Sequence, residues 1–331
     1  MERTVEEKLI WPHSKNVAEK SILTRNRIIK SRRQTLRIFS VGNPDLHETL
    51  TRLPDLFLQK ECKTIKSEKK IMVVLLPLEI GGKIKSVYVK QHNALSFGHR
   101  LASVLYPSAA VRSLSGAAAL LQRGYATAPP VAAVEYRHWN ILIKSLYVSE
   151  EIAGAKTIDA FWCDELTAVK GVAGYVKRRV VLRRLARLFK SLHENGIYHN
   201  DLKASNILVL DRGAATEVTF SLIDLQGLKR CFFVSRRRRI KNLAQLNRTL
   251  GVYLTRAEKL SFLKACVDYR FLNRSSKRDL VQRVLDQTNR QIVREKSRHP
   301  SAQNYRSVKV LSAEADKKHR QPFLMLDRFL F

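Results

Sequence analysis

Two short stretches of this chain concentrate residue types that can do chemistry. The first is His199-Asn200-Asp201-Leu202-Lys203-Ala204-Ser205-Asn206-Ile207-Leu208, and the second, further on, is Leu222-Ile223-Asp224-Leu225. Phosphoryl transfer asks for these types. An Asp must accept or orient the proton of an attacking hydroxyl, and a Lys near it steadies the moving phosphoryl charge. An Asn and a second Asp offer hard oxygen ligands to the magnesium that bridges nucleotide phosphates. Asp201 and Lys203 are therefore the expected catalytic residues, Asn206 and Asp224 the expected metal ligands, and ATP and Mg²⁺ the expected cofactors. The plainer alternative is a polar turn followed by a buried strand that happens to end in Asp224. Two such stretches in order, after a helix stopped by Gly196, count against it.

The surrounding pattern supplies elements to hold them. Before the first stretch, Val176 to His193 carries Val181, Leu185, Leu188 and Leu192 at spacings of four, three and four, so they share one helix face. Arg183, Arg184, Arg187 and Lys190 lie on the other side. Upstream, Ile71 to Leu76 is a β-rich apolar run, Gly81-Gly82 marks a turn, and Ser86 to Lys90 reads as a second strand. Ala109 to Gln122 reads as a helix closed by Gly124 at C′. After Pro129-Pro130, Val131 to Glu135 and Ile141 to Val148 read as another strand pair. Helical patterns return over Ile240 to Tyr253, Arg256 to Tyr269 and Ser276 to Glu295. Strands first and helices afterwards predict an α+β protein with a β-rich N-lobe and a helical C-lobe. The expected boundaries are a basic extension over 1–54, the N-lobe over 55–152, the C-lobe over 153–295 and a basic tail over 296–331.

The two stretches resemble the protein-kinase catalytic loop H-R-D-L-x-x-x-N, with Asn200 in place of the Arg, and the metal-binding D-F-G, with Gln226 in place of the Gly. The resemblance implies a protein-kinase-like two-lobed fold. His199 would then hold the loop rather than move a proton. Lys90, closing a strand, would contact the nucleotide phosphates. Glu150 and Ile152 would sit at the hinge that presents backbone groups to adenine. No G-x-G-x-x-G precedes Lys90, which leaves Thr64-Ile65-Lys66-Ser67 as the candidate phosphate-covering loop. Within the superfamily the chain is most similar to the lipopolysaccharide core kinases, which phosphorylate heptose or Kdo sugars. Val87 to Lys90, Leu121 to Pro129, His193 to Asp201, Ile223 to Gly227 and Leu243 to Leu250 carry that likeness, over residues 55 to 270 or so. It implies ATP- and Mg²⁺-dependent transfer to a sugar hydroxyl of an anionic glycolipid, by a protein peripheral on the cytoplasmic face of the bacterial inner membrane.

One departure matters for mechanism. Between Lys90 and Glu135 there is no Asp or Glu. The helix carboxylate that pairs with the strand lysine in kinases is missing, and Ser113 or Ser115 falls in its place. The absence of A-P-E argues against a conventional protein kinase. A kinase-fold enzyme for a protein or small metabolite, or an inactive kinase-fold binding module, are the alternatives.

Bulk composition agrees with an anionic partner. The chain has 61 Lys plus Arg against 29 Asp plus Glu, a formal net charge of +32. Such a field gathers anionic lipid head groups and phosphorylated substrates, and nucleic acid only non-specifically, since no RRM or zinc-finger signature is present. Arg236 to Arg239 with Lys241 would place cations beside the cleft. Cys62, Cys163, Cys231 and Cys266 are scattered, with neither a zinc spacing nor a disulfide framework. The longest apolar stretch falls far short of a spanning helix.

Overall fold

The computed structural model describes residues 3–6, 25–30, 34–41, 46–57, 61–94, 97–213, 218–267 and 272–298. In chain order the elements are β1 (Arg3–Glu6), β2 (Arg25–Lys30), β3 (Gln34–Ser40), α1 (Leu46–Thr51), α2 (Leu53–Leu56), β4 (Lys63–Ser67), β5 (Ile71–Ile80) and β6 (Lys83–Asn93). Next come α3 (Phe97–Ala102), α4 (Ala109–Leu121), β7 (Pro130–His138), β8 (Ile141–Glu150), β9 (Lys156–Thr157), α5 (Ile158–Phe161) and α6 (Gly171–Glu194). They are followed by β10 (Ile197–His199), β11 (Ile207–Leu210), β12 (Thr219–Leu222), β13 (Leu228–Arg230), α7 (Arg236–Thr249), α8 (Arg256–Cys266) and α9 (Arg274–Arg298). A sheet-rich N-terminal part and a helical C-terminal part make it a mixed α+β protein, as the strand-then-helix pattern predicts.

The described residues fall into two compact units, drawn from Met1–Phe161, His199–Asp201 and Asn206–Arg230, and from Trp162–Tyr198, Leu202–Ser205 and Cys231–Phe331. In the first unit an eight-stranded sheet runs β1-β2-β3-β7-β8-β6-β5-β4. Strand alternation sends side chains to opposite faces. Ile38, Val87, Val89, Val134, Leu146 and Val148 form one core with Leu46, Leu50 and Leu53 of α1 and α2. On the other face Phe39 and Ala133 pack against Ala110, Val111 and Leu114 of α4. Lys90, offset by one from Val89, is therefore turned to the α4 side. Its neighbours in register are Val73 and Tyr147.

Two sequence expectations change here. Residues 25–30 and 34–40, placed in a basic extension, form β2 and β3, and Ile38 is fully buried. The remainder of that extension and the tail past Arg298 lie largely outside the described residues. Thr64 to Ser67 is not a loop but most of β4, an edge strand exposed along its length and paired with β5. The turn between those strands is Glu68–Lys70 instead. No apolar alternation marks β4, so period-two patterning could not reveal it.

In the second unit, α6 buries Val181, Leu185 and Leu192 with Leu182, Ala186 and Phe189. Phe189 meets Phe262 of α8 edge to face at 5.6 Å. Gly196 has φ +68°, and a Cβ there would stand 2.0 Å from the Cys231 carbonyl oxygen, so only glycine lets the chain leave α6 at this point. A buried relay of amides then steadies Leu202–Ser205. His193 Nε2 and Asn242 Oδ1 are 3.1 Å apart, Asn242 Nδ2 donates to Gln245 Oε1, and Leu202 N–H donates to the same oxygen at 3.0 Å. Ala204 N–H donates to Thr249 Oγ1. This explains why Leu243 to Leu250 belongs to the family likeness: α7 holds the segment that separates Asp201 from Asn206. Among the described residues no helix is long and apolar enough to cross a membrane.

Candidate active site

Asn206 and Asp224 are brought together by a hairpin. β11 and β12 pair with Ile207 opposite Leu222, and Ile223 N–H donates to Asn206 C=O at 3.0 Å. Two further bonds fix the end of β12: Leu222 N–H donates to Ala126 C=O, and Thr127 Oγ1 donates to Leu222 C=O at 2.6 Å. Gly124 makes that approach possible. It sits at φ +73° and closes α4 as C′ of a Schellman turn, with Tyr125 N–H to Leu120 C=O and Gly124 N–H to Leu121 C=O. The Leu121-to-Pro129 stretch thus anchors the strand that presents Asp224.

Asp224 itself adopts the left-handed conformation, φ 61° and ψ 52°, which is strained for a residue with a side chain and re-aims the carboxylate off the strand. Lys90 Nζ donates to its Oδ1 at 2.6 Å. Both side chains are largely buried, 20% and 25% exposed. Burial alone would raise the Asp224 carboxyl. The charge and hydrogen bond of Lys90, with help from His199 and His92, outweigh it and hold the group below its ordinary value. Ser113 and Ser115, which stand where kinases carry the pairing acid, bond back to the carbonyls of Ala109 and Val111 instead. The strand lysine therefore has its carboxylate, but from the exit of β12 rather than from the helix.

His199 stitches the two stretches together. Its Nδ1 accepts from Asp201 N–H at 3.2 Å, which leaves Nε2 to carry the hydrogen toward Ile223 C=O at 3.2 Å. Burial lowers its pKa, so the ring stays neutral and holds the loop, the role that the kinase likeness implies. Asn206 Nδ2 donates to Asp201 C=O at 2.8 Å and to Asp201 Oδ2 at 3.3 Å, orienting that carboxylate and leaving the amide oxygen as a hard acceptor. Asn200 N–H donates to Gly227 C=O, and a Cβ on Gly227 would lie 2.9 Å from Asn200 Cβ. Arg112, Asn200, Asp201, Asp224, Gln226 and Gly227 line a cavity of about 320 Å³.

Lys90, Asp201, Asn206 and Asp224 thus converge. Lys203 is half-buried in the amide-held segment of the second unit. Glu150 and Ile152 are engaged otherwise: the Glu150 carboxylate pairs with Lys85 at 2.7 Å, its N–H donates to Pro129 C=O, and Ile152 C=O accepts from Ala155 N–H. Arg112 and His92 were not foreseen. His92 had a signal, since it follows Lys90 by two residues on one strand and so shares its face. Its Nε2 is buried without a hydrogen-bond partner among the described residues, and burial with the charges of Lys90 and Arg112 lowers its pKa to about 4 despite Asp224.

Hard oxygen ligands beside a lysine fit a metal-bound nucleotide, with Asn206 and Asp224 as the residues that would hold the metal. Residues 82–266 match the lipopolysaccharide kinase (Kdo/WaaP) family. No curated protein matches the chain. A solved structure, "WaaP in complex with acyl carrier protein", is 23% identical with a TM-score of 0.54, covering 76% of this chain and 95% of that one. A second, "Glucosamine kinase in complex with glucosamine, ADP and inorganic phosphate", is 9% identical with a TM-score of 0.33, covering 87% and 83%. The first of these likenesses is one of fold.

Proposed function

Because the chain belongs to the lipopolysaccharide kinase (Kdo/WaaP) family, we propose that it phosphorylates a heptose or Kdo hydroxyl of the lipopolysaccharide inner core, using ATP with Mg²⁺ at the cytoplasmic face of the inner membrane. Membership itself makes it an ATP-dependent phosphotransferase acting on the lipopolysaccharide core. The sugar, the metal and the bilayer go further. The observation that carries the reading is that Asp201 and Asp224 face one cavity, with Asn206 bound to the first and Lys90 to the second.

Bound ATP and its metal supply the phosphoryl group and neutralise its charge. Asp201, steadied by Asn206, takes the proton of the sugar hydroxyl as its oxygen bonds to the γ-phosphorus and the bond to the β–γ bridging oxygen breaks, releasing ADP. Lys90 fixes the Asp224 carboxylate and keeps it ionised. The missing helix acid does not leave the lysine without a partner, which removes the main ground for an inactive binding module.

The bilayer is supported by a surface feature of the second unit. Phe232 and Phe233 are 102% and 67% exposed, and Arg236 and Arg237 follow at the exposed start of α7. Exposed aromatics beside cations suit an anionic lipid surface. Incubating the protein with ATP, Mg²⁺ and dephosphorylated lipid A–core tests the function, with mass spectrometry of the product. One added phosphate, lost in Asp201→Ala, is expected; phosphate on a generic protein acceptor but none on the core sinks the proposal.

A further inference from the structure

The cavity beside Asp201 and Asp224 has one cation in its lining among the described residues. Arg112, in the first turn of α4, lines it, on the helix from which kinases extend a carboxylate. Its guanidinium is fixed in place: Nη1 donates to Pro107 C=O at 2.7 Å and Nε to Gln226 C=O at 3.3 Å. Both partners are neutral carbonyls, and among the described residues no carboxylate pairs with it. Burial of the guanidinium against α4 lowers its pKa, though the residue as a whole stays solvent-exposed at the cavity wall. Lys90 offers no spare charge, since Asp224 already takes its ammonium at 2.6 Å. His92, close enough to feel Lys90, Asp224 and Arg112, keeps a buried nitrogen without a partner among the described residues.

A cation pinned by two carbonyls at the cavity wall, its Nη2 making no hydrogen bond among the described residues, has a charged edge to offer an arriving anion. The planar fork matches phosphate oxygens better than a lysine would. The geometry points to Arg112 as a phosphate-contacting residue, its guanidinium binding a phosphoryl oxygen in the cavity next to Asp201. This deepens the proposed phosphotransfer site and rests on it. The phosphate comes either from the nucleotide or from a group already on the acceptor sugar.

Full-length wild type, Arg112→Lys and Arg112→Gln separate these sources. Three quantities are measured: acceptor-free ATP hydrolysis, transfer to lipid A–core with and without its own phosphates, and the thermal midpoint. Transfer is expected to fall about a hundredfold or more in Arg112→Gln, at an unchanged midpoint, with partial recovery in Arg112→Lys. A parallel fall in acceptor-free hydrolysis assigns the phosphate to the nucleotide. A fall in transfer alone, with loss of preference for the phosphorylated acceptor, assigns it to the sugar. Rates within about twofold of wild type, or losses that only track a lowered midpoint in both variants, overturn the inference. A separate arm does not depend on turnover: inorganic tripolyphosphate raises the wild-type midpoint but not that of Arg112→Gln. If the wild type is not stabilised, or the variant is stabilised equally, Arg112 is not a phosphate contact. If Arg112→Gln does not fold, Arg112→Lys decides: a loss of transfer and of tripolyphosphate stabilisation at the wild-type midpoint supports the contact, and full retention of both overturns it. A wild type that binds tripolyphosphate through Arg112 yet transfers nothing to any sugar core sinks the kinase assignment and spares the contact.

Discussion

Lys90 and Asp224 lie 134 positions apart and meet at 2.6 Å in a setting where each is less than a third exposed. Removing one leaves the other as a buried, unmatched charge. Lys90→Met is therefore expected to lower transfer by about a hundredfold or more. The pair should also be strongly coupled in stability: a double-mutant cycle with Asp224→Asn, read by denaturant unfolding, should return an interaction of about 0.5–3 kcal/mol. A value near zero would mean that the ion pair does not hold the centre together. The four converging residues were legible in the sequence because their chemical types and local spacing are demanding. The partner of Lys90 was not, since a pairing across β6 and the exit of β12 leaves no local trace. The missing helix acid was visible as an absence, but its replacement depends on a tertiary approach.

At the scale of elements, close approach decides what composition only hints at. Gly116 stands inside α4, where alanine would ordinarily add about 0.8–1 kcal/mol of helix stability. A Cβ there would come 2.8 Å from the Leu225 carbonyl oxygen, in the turn directly after Asp224. Gly116→Ala should therefore lower the unfolding midpoint and shift Asp224, reversing the usual sign; a midpoint raised with full transfer would refute that packing. Gly124 was readable because its role is local, a helix stop. Gly116 was not, because its neighbour belongs to a strand exit far along the chain. α7 adds a pH-dependent contribution. Burial, with the charge of Arg239, lowers the His193 pKa to about 4 against the hydrogen bond to Asn242. The unfolded chain takes up this proton near the ordinary value of 6.5 and the folded chain only near 4. The contribution is therefore complete above about pH 6.5 and is lost progressively as pH falls toward 4, in all roughly 3 kcal/mol. His193→Gln should flatten that part of a stability-versus-pH profile recorded by chemical denaturation.

For the whole molecule, a net charge of +32 sets the expected response to salt. Association with vesicles containing anionic lipid should weaken steeply between about 50 and 500 mM salt, as the Debye length shrinks below 10 Å. Phe232→Ser with Phe233→Ser should loosen binding at every salt concentration, because aromatic insertion is not screened. Binding unchanged by that pair, measured by co-sedimentation, would remove these side chains from the lipid contact. Strand-then-helix order made the α+β architecture legible, and the charge made an anionic partner legible. The inclusion of residues 25–30 and 34–40 in the sheet was not, because β2 is basic and Ile28 is its only buried side chain among those described.

The first compact unit is discontinuous in sequence, and that has a consequence for how the molecule is born. On the ribosome its large sheet is complete once Glu150 has emerged, yet the hairpin bearing Asn206 and Asp224 arrives only with Asn206–Arg230. At about 5–20 residues per second the nascent sheet waits several seconds, α4 and Lys90 still lacking their neighbours. Nascent chains arrested before residue 224 should consequently show no nucleotide-dependent protection from proteolysis, while chains released past residue 230 acquire it.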